Sequence, residues 1–482
     1  MTVTTPHKTQ LVEPGGIEPI SRDRRHGSPW QLVATWSSPN LEFATIFVGV
    51  IAVAFFGLSF WQAVAAVLLG NFLGSLSQGI LSTWGPREGL AQMLLGRTAF
   101  GFWGNILPAG LNTAMAGLGW FAVNSISGAF ALATLTGWNP ALTLALVVVI
   151  EVTVAFVGHD IVQLFERYAM VVLAIIFLIA GIYILSNADT SAPAAGDGTA
   201  GFGGFAGFML ATGAAFGYTA GWNPYASDYT RYLAASTSKT KIGVAAGLGN
   251  VVSTTFLMIV GAASATIVHT GLADDASPTD SFTAGMPGWI SSITLLAIAV
   301  GAISANALNI YSGSMSFLAI GIRIPFERRR AIVALGFGVL GFIIALLALP
   351  DAGSSYENFL LVIAYWIAPW LGIVLTDRWL RRGTSILALV VDEKKKYANP
   401  AGIVAFVIAA AISIALFSNQ AVYVGVLVRV VPEIGDLTAV VGFVLAAVLY
   451  ATIFTLTKPI LGPPLSDATT TMPDTTATEQ NA

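Results

Sequence analysis

Chemistry in this sequence is concentrated in a few polar and aromatic residues set inside long apolar stretches. Gly119-Trp120-Phe121-Ala122-Val123-Asn124 places a tryptophan and an asparagine four residues apart, on one face if the stretch is helical. An indole offers a stacking surface and an amide an in-plane donor and acceptor, which suits a flat heteroaromatic solute. The same pair would also serve to pack and hydrogen-bond neighbouring helices. A second tryptophan, Trp222, stands in the helix-breaking run Gly221-Trp222-Asn223-Pro224, where it can supply the other face of an aromatic sandwich. Asn306 and Asn309, three apart in an apolar run, face nearly the same side and can read a solute edge, or else bond helix to helix.

Ions and protons have candidate ligands of their own. Trp36-Ser37-Ser38-Pro39-Asn40 is a second helix-breaking cluster, since a proline in a helix interior costs about 3 kcal/mol. A broken helix exposes carbonyl and N–H groups, and hard cations take oxygen ligands. Ser37, Asn40 and Ser304 are therefore the candidate cation ligands. Two carboxyls lie within apolar stretches, Glu42 and Glu151. Such a group can take up and release a proton, and Glu42, beside the first break, is the candidate for proton coupling. Asp228 and Arg231, three apart, can pair as an interfacial anchor or latch a gate.

These residues need a scaffold that places them inside a bilayer. The chain has 482 residues, 55% hydrophobic and 10% charged, with a mean hydropathy of +0.77; soluble domains carry about 25% charged residues. Uncharged blocks such as Phe43–Phe60 and Met170–Leu185 are long enough to span the ~30 Å hydrocarbon layer as helices. Twelve spans are expected, an all-α integral membrane protein: 39–58, 60–84, 101–133, 140–158, 168–186 and 204–227, then 242–268, 289–320, 331–349, 356–379, 399–417 and 437–457. The N-terminal tail to residue 30 and the tail 461–482 read as polar and disordered, with 31–460 as one transporter domain. No short apolar signal-peptide core precedes the first span, so that span is expected to act as its own insertion signal.

Charge checks the count. With both termini in the cytoplasm, 21 of the 22 basic residues fall on that side, and only Arg429 lies outside. The opposite loops carry Asp189, Asp197, Asp274, Asp275, Asp280, Asp351 and Glu357. A wrong count would scramble this bias, which places the chain in the plasma membrane with cytoplasmic ends. The two helix-breaking clusters fall in the first and sixth spans, five apart, the pattern of an inverted-repeat transporter.

Several classes are excluded. There is no cysteine and there are only four histidines, so thiolate chemistry, disulfides and a histidine metal site are not expected. A net charge of -3 without a basic patch gives no sign of nucleic-acid binding. An intramembrane enzyme would need clustered acid, base or metal residues, and a pore would favour short symmetric subunits; neither pattern is present.

The segments Gly119-Trp120…Asn124, Trp222…Tyr225-Ala226-Ser227-Asp228-Tyr229-Thr230-Arg231-Tyr232, Asn306…Asn309-Ile310-Tyr311 and Gly85 to Gly101 with Arg97 and Phe100 resemble the nucleobase–cation symporters, purine–cytosine permease branch. The similarity runs over about 30–460. It implies a leucine-transporter-like core of two inverted five-helix repeats, about 36–186 and 200–380, plus two helices at about 398–458. By that resemblance Trp120 and Trp222 sandwich the heterocycle, and Asn124 and Asn309 bond its edge. Ser38 faces it, and Ser304 helps ligate the cation. Ala305 and Leu308 depart from the family, whose members often carry a proline or second amide there. The expectation is import of cytosine or a purine by H⁺ or Na⁺ symport, with no cofactor beyond the ion. Hydantoin, allantoin, thiamine or a pyridoxine-like heterocycle is the alternative.

Overall fold

The computed structural model describes residues 16–155, 159–196, 198, 201–267, 277–322, 329–391 and 397–462. The far ends of both tails, Lys8, Asp197, Asp274, Asp275, Arg323, Arg328, Lys394–Lys396 and the last residues of the fourth and seventh expected spans lie outside them. Fourteen helices carry the architecture. They are α1 Gln31–Ser37, α2 Phe43–Ala54, α3 Phe60–Ser82, α4 Ile106–Thr136 and α5 Pro140–Ala155. Next come α6 His159–Asn187, α7 Gly204–Ala220, α8 Ala226–Thr230, α9 Lys239–Ser264 and α10 Gly288–Ala319. The last are α11 Arg329–Ala348, α12 Ala352–Leu380, α13 Pro400–Phe417 and α14 Thr438–Thr457.

Eight helical stretches among the described residues are long and apolar enough to cross a bilayer alone. One of these, Ile332–Leu380, is 49 residues long and consists of α11 and α12 joined through the tight turn Leu349–Asp351. α1 and α2 form a further span bent by 60°. Of the twelve expected spans, α5 and α7 have only 16 and 17 residues and so fall short of the length expected of a lone span. Exposed side chains fit a lipid surround. Leu68, Leu69, Phe72, Leu73, Leu76 and Ile80 cover one side of α3. Exposed tryptophans stand at the span ends, Trp30, Trp103 and Trp379 toward the side of the N-terminus and Trp61, Trp138 and Trp289 toward the other, as in interfacial belts.

Two boundaries differ from expectation. The first span begins at Gln31, so its break falls inside it rather than at its start. Leu32 and Trp36 are buried, and α1 packs along α9, which hides a turn that its polar flank disguised. The third span starts at Ile106, because Gly101 at φ 68° turns the chain away from the preceding short helix. Part of the expected disordered tail is also tied down: Ile20 N–H donates to Gly89 O at 2.9 Å and His26 N–H to Tyr232 O at 2.6 Å.

Packing divides the spans into two groups. α1, α2, α3, α7 and α9 contact one another, and so do α4, α5, α10 and α11. Within each group, partners stand about five spans apart in the chain, second with sixth and seventh, third with eighth, fourth with ninth. α6 joins the groups through α9 and α10, while α12 lies against α7 and α14. Small residues set the crossings. A Cβ on Gly49 of α2 would come within 1.8 Å of Met258 O, and one on Gly261 of α9 within 1.8 Å of Ile46 O. Both positions exclude any side chain, and this close approach locks α2 on α9.

Candidate functional site

Both breaks lie where the two groups meet. In the first, α1 tightens into the turn Ser38–Asn40, the chain leaves helical geometry at Leu41 and runs extended at Glu42 before α2 resumes. The chain comes so close to α10 there that a Cβ on Gly301 would stand 2.5 Å from Leu41 O. In the second, α7 ends at Gly221-Trp222 and the turn Asn223–Tyr225 leads into the five-residue α8. Asn250 of α9 stitches both breaks: its Nδ2 donates to Thr219 O at 3.2 Å and its Oδ1 accepts from Asn40 Nδ2 at 3.1 Å.

The indoles approach the second break from two directions, and both are buried. Trp120 ends a π-helical turn, Met115–Trp120, within α4, an irregularity common at functional sites. Its ring meets Tyr218, Tyr356 and Phe359 nearly edge-on at centroid distances of 5.2, 6.3 and 5.2 Å. The lack of a side chain at Gly221 lets it in, since a Cβ there would lie 3.2 Å from Trp120 Cζ2. Trp222 packs on Trp36 at 6.0 Å and Tyr225 at 5.6 Å, and its indole N–H donates to Asn40 Oδ1 at 2.8 Å.

Three amides converge between α4 and α10. Asn306 Oδ1 accepts from Asn124 Nδ2 at 3.0 Å and from Asn309 Nδ2 at 3.2 Å. Asn309 Oδ1 is buried and has no hydrogen-bond partner among the described residues. An acceptor in that condition is costly, and a ligand N–H would relieve it. Glu42 completes the cluster: its Oε1 accepts from the Tyr218 hydroxyl at 3.2 Å, and Tyr218 and Thr45 share a hydrogen bond of 2.5 Å.

The cation candidates separate. Ser38 Oγ lies 3.2 Å from Ser304 Oγ, bringing first and eighth spans together at one point. Ser37 instead donates to Gly249 O on α9 at 3.0 Å. The Asn40 amide nitrogen is spent on Trp36 O at 2.6 Å, Asn250 and Ser253. The tight turn rotates successive residues to different sides, so Ser38 rather than Ser37 faces α10.

Asp228 and Arg231 hydrogen-bond to different partners, while their charges still attract one another. Asp228 Oδ1 accepts from Gln92 N–H at 2.8 Å, where the short helix Gln92–Leu95 presents a free donor. Arg231 follows the end of α8 and donates to Gly16 O at 3.0 Å and to the Tyr232 hydroxyl at 3.1 Å, which bonds Tyr311 at 2.9 Å. Both are buried within the protein. Sequence reasoning passed over Tyr218, Thr45, Ser125 and Asn250, all of which hold the site. A cavity of about 870 Å³ opens beside the amide cluster, not at it, lined by Phe43, Phe47, Gly119, Val123, Tyr356, Phe359 and Trp366 among others. Its walls are mostly apolar, so recognition of a polar edge belongs to the amides instead.

Comparison with known proteins bears on the family and the fold. A family profile described as permease for cytosine/purines, uracil, thiamine, allantoin matches residues 19–445. A putative purine-cytosine permease of Bacillus subtilis is 28% identical over 463 residues, 93% of this chain and 97% of the relative. A purine-cytosine permease of Emericella nidulans is 29% identical over 456 residues, 91% and 87% of the two chains. Among solved structures, the nucleobase-cation-symport-1 family transporter Mhp1, closed with bromovinylhydantoin bound, superposes with a TM-score of 0.72 at 20% identity, covering 94% of this chain and 97% of that one.

Proposed function

The chain belongs to the family of permeases for cytosine/purines, uracil, thiamine and allantoin, a multi-pass membrane transporter with a leucine-transporter-like fold and not an enzyme, and from that premise we propose that it imports cytosine or a purine by cation symport. The ring stacks at the breaks against Trp120 and Trp222, while Asn124, Asn306 and Asn309 read its edge. The observation that carries this reading is the buried, unpartnered Asn309 Oδ1 among three amides. A base that donates an N–H there is accepted; one that cannot leaves the acceptor unpaired and is penalised.

Ser38 and Ser304 offer two hydroxyl oxygens to a sodium-like ion, and Glu42 offers a carboxyl to a proton. Rocking of the α1–α3, α7 and α9 group against α4, α5, α10 and α11 then exposes the site to alternate sides. With both termini in the cytoplasm, Asp228 and Arg231 fall on the inner side as gate residues. The second reading is another flat heterocycle, supported by the breadth of the family and by departures at Ala305 and Leu308.

The test is uptake of radiolabelled cytosine by cells expressing the chain, with purine competitors, with and without sodium, and with an uncoupler. Concentrative, purine-competed uptake is expected. Accumulation of hydantoin or allantoin but not of cytosine would favour the second reading.

A further inference from the structure

Three arginines gather around one carboxylate where α3 gives way to the short helix Gly85–Glu88 and α12 ends. Glu88 is buried, and one of its oxygens, Oε1, serves two guanidiniums: Arg378 Nη2 at 2.9 Å and Arg87 Nε at 3.4 Å. Neither is the two-pronged pairing that a guanidinium and an oxyanion favour. Arg87 turns its Nη2 to Thr384 O at 3.2 Å, and its charge is attracted by Glu88 and repelled by Arg378. The third arginine, Arg25, comes from the N-terminal segment and donates to two backbone carbonyls, Ile20 O at 2.9 Å and Pro86 O at 2.6 Å. It lies against the turn at Gly89, where φ is 71° and a Cβ would stand 2.1 Å from Arg25 Nη2.

Positive charge is left over here. The two ion pairs, Arg87–Glu88 and Arg378–Glu88, share one carboxylate, and Arg25 has no ion pair among the described residues. Burial and the charge of Arg22 hold the Arg25 guanidinium below its ordinary value, and Glu88 only partly offsets them. The exposed turn Arg22–Arg24 sets two further arginines against Asp23. Each guanidinium carries more N–H donors than these bonds use. Half-buried like charges are costly unless an anion completes them.

We infer that Arg25, Arg87 and Arg378 form a binding site for the phosphate of an acidic phospholipid headgroup. Two observations favour a lipid over a free anion. Leu73, Leu76 and Ile80 are exposed on the same face of the helical stretch Phe60–Glu88 that carries Arg87, so an apolar track for acyl chains leads to the guanidinium. Trp379, beside Arg378 in the last turn of α12, is 60% exposed, and Arg382 lies over its ring at 5.1 Å. Exposed tryptophans at span ends mark the headgroup level, and Arg378 itself is held over the Trp84 ring at 5.4 Å. A phosphate at this level accepts from the guanidiniums in the two-pronged manner that Glu88 Oε1 does not supply. Bound there, the headgroup ties the N-terminal segment, the end of α3 and the end of α12 together, whatever solute the chain carries.

Melting curves of the purified chain in a neutral detergent, titrated with phosphatidylglycerol, with phosphatidylcholine or with inorganic phosphate, test this. Phosphatidylglycerol should raise the melting temperature saturably, and the other two should not. Each variant is read against its own lipid-free curve, so a loss of stability does not mask affinity. Arg25→Gln and Arg87→Gln should each weaken the apparent affinity about fivefold. Glu88→Gln, which removes the competing carboxylate, should strengthen it. Lys241→Gln should leave it unchanged: Lys241 is exposed near the start of α9, at the same end of the bundle, since Gly243 lies against Gly79 of α3. An affinity unmoved by both arginine variants, or lowered by Glu88→Gln, overturns the site. Equal stabilisation by phosphatidylcholine or by inorganic phosphate overturns the acidic lipid as its occupant.

Discussion

Two buried polar clusters in this molecule obey opposite rules. At the ends of α12–α14, Asp377 accepts from Arg381 at 2.7 Å, Tyr450 at 2.5 Å and Thr98 at 2.7 Å. Arg381 also donates to the Tyr397 hydroxyl at 2.5 Å and Ile460 O at 2.5 Å, and Asn399 bonds both Thr98 O at 3.1 Å and the Tyr450 hydroxyl at 3.0 Å. Each carboxylate oxygen is claimed, and only one arrangement is available. Around Asn124, Asn306 and Asn309, by contrast, Asn309 Oδ1 and Glu151 Oε1 have no partner among the described residues. The first cluster fastens α13 and α14 to α12; the second leaves acceptors open at the place proposed for the solute. A satisfied network rigidifies, and an incompletely satisfied one is tolerated only where something else completes it.

The comparison breaks most sharply at Asp377. Asp377→Ala leaves Arg381 buried without its counter-charge and should cost about 3–5 kcal/mol, read as early thermal unfolding in detergent; a wild-type melting curve would show the cluster to be no fastener. Trp222→Ala should reduce uptake to background while the protein still inserts and melts normally, so full uptake would remove the stacking role. Asn309→Ala should re-rank competing bases by about tenfold, or 1.4 kcal/mol, with little change in melting. An unchanged competition profile would count against it. Glu42→Gln should flatten the dependence of uptake on pH, and a retained pH profile would leave Glu42 structural.

The smallest effect concerns the loop between α13 and α14. Asp436 accepts hydrogen bonds from Tyr365, from Asn419 N–H and from Thr438 N–H, yet burial outweighs them and pushes its carboxyl above the usual range. The folded state therefore holds that proton more tightly than the unfolded chain, and stability should fall as pH rises through the raised value. Asp436→Asn should remove that slope from melting curves. A slope identical to wild type would assign it to other groups.

Much of the architecture was legible because its causes are written along the chain. Apolar length, basic loops and the prolines Pro39 and Pro224 mark spans and breaks locally. The indoles and amides stood out because polar groups in apolar helices need a reason. What could not be read was direction. Ser37 and Ser38 are equivalent until the turn Ser38–Asn40 sends one to α9 and the other to α10. Asp228 and Arg231 stand one helical turn apart, with Arg231 N–H on Ser227 O, yet the fold brings Gln92 N–H to Asp228 and Gly16 O and the Tyr232 hydroxyl to Arg231, partners that sequence spacing does not show. Tyr218 looks like any tyrosine in an apolar run until the fold brings it to Glu42, 176 positions away in the chain.

The most direct test is a structure of the purified protein with cytosine or adenine bound. The account predicts the ring beside Trp120 and Trp222, with an N–H within hydrogen-bond distance of Asn309 Oδ1. A base seated instead in the apolar cavity between Phe47, Tyr356 and Phe359, leaving that oxygen unpaired, would contradict it.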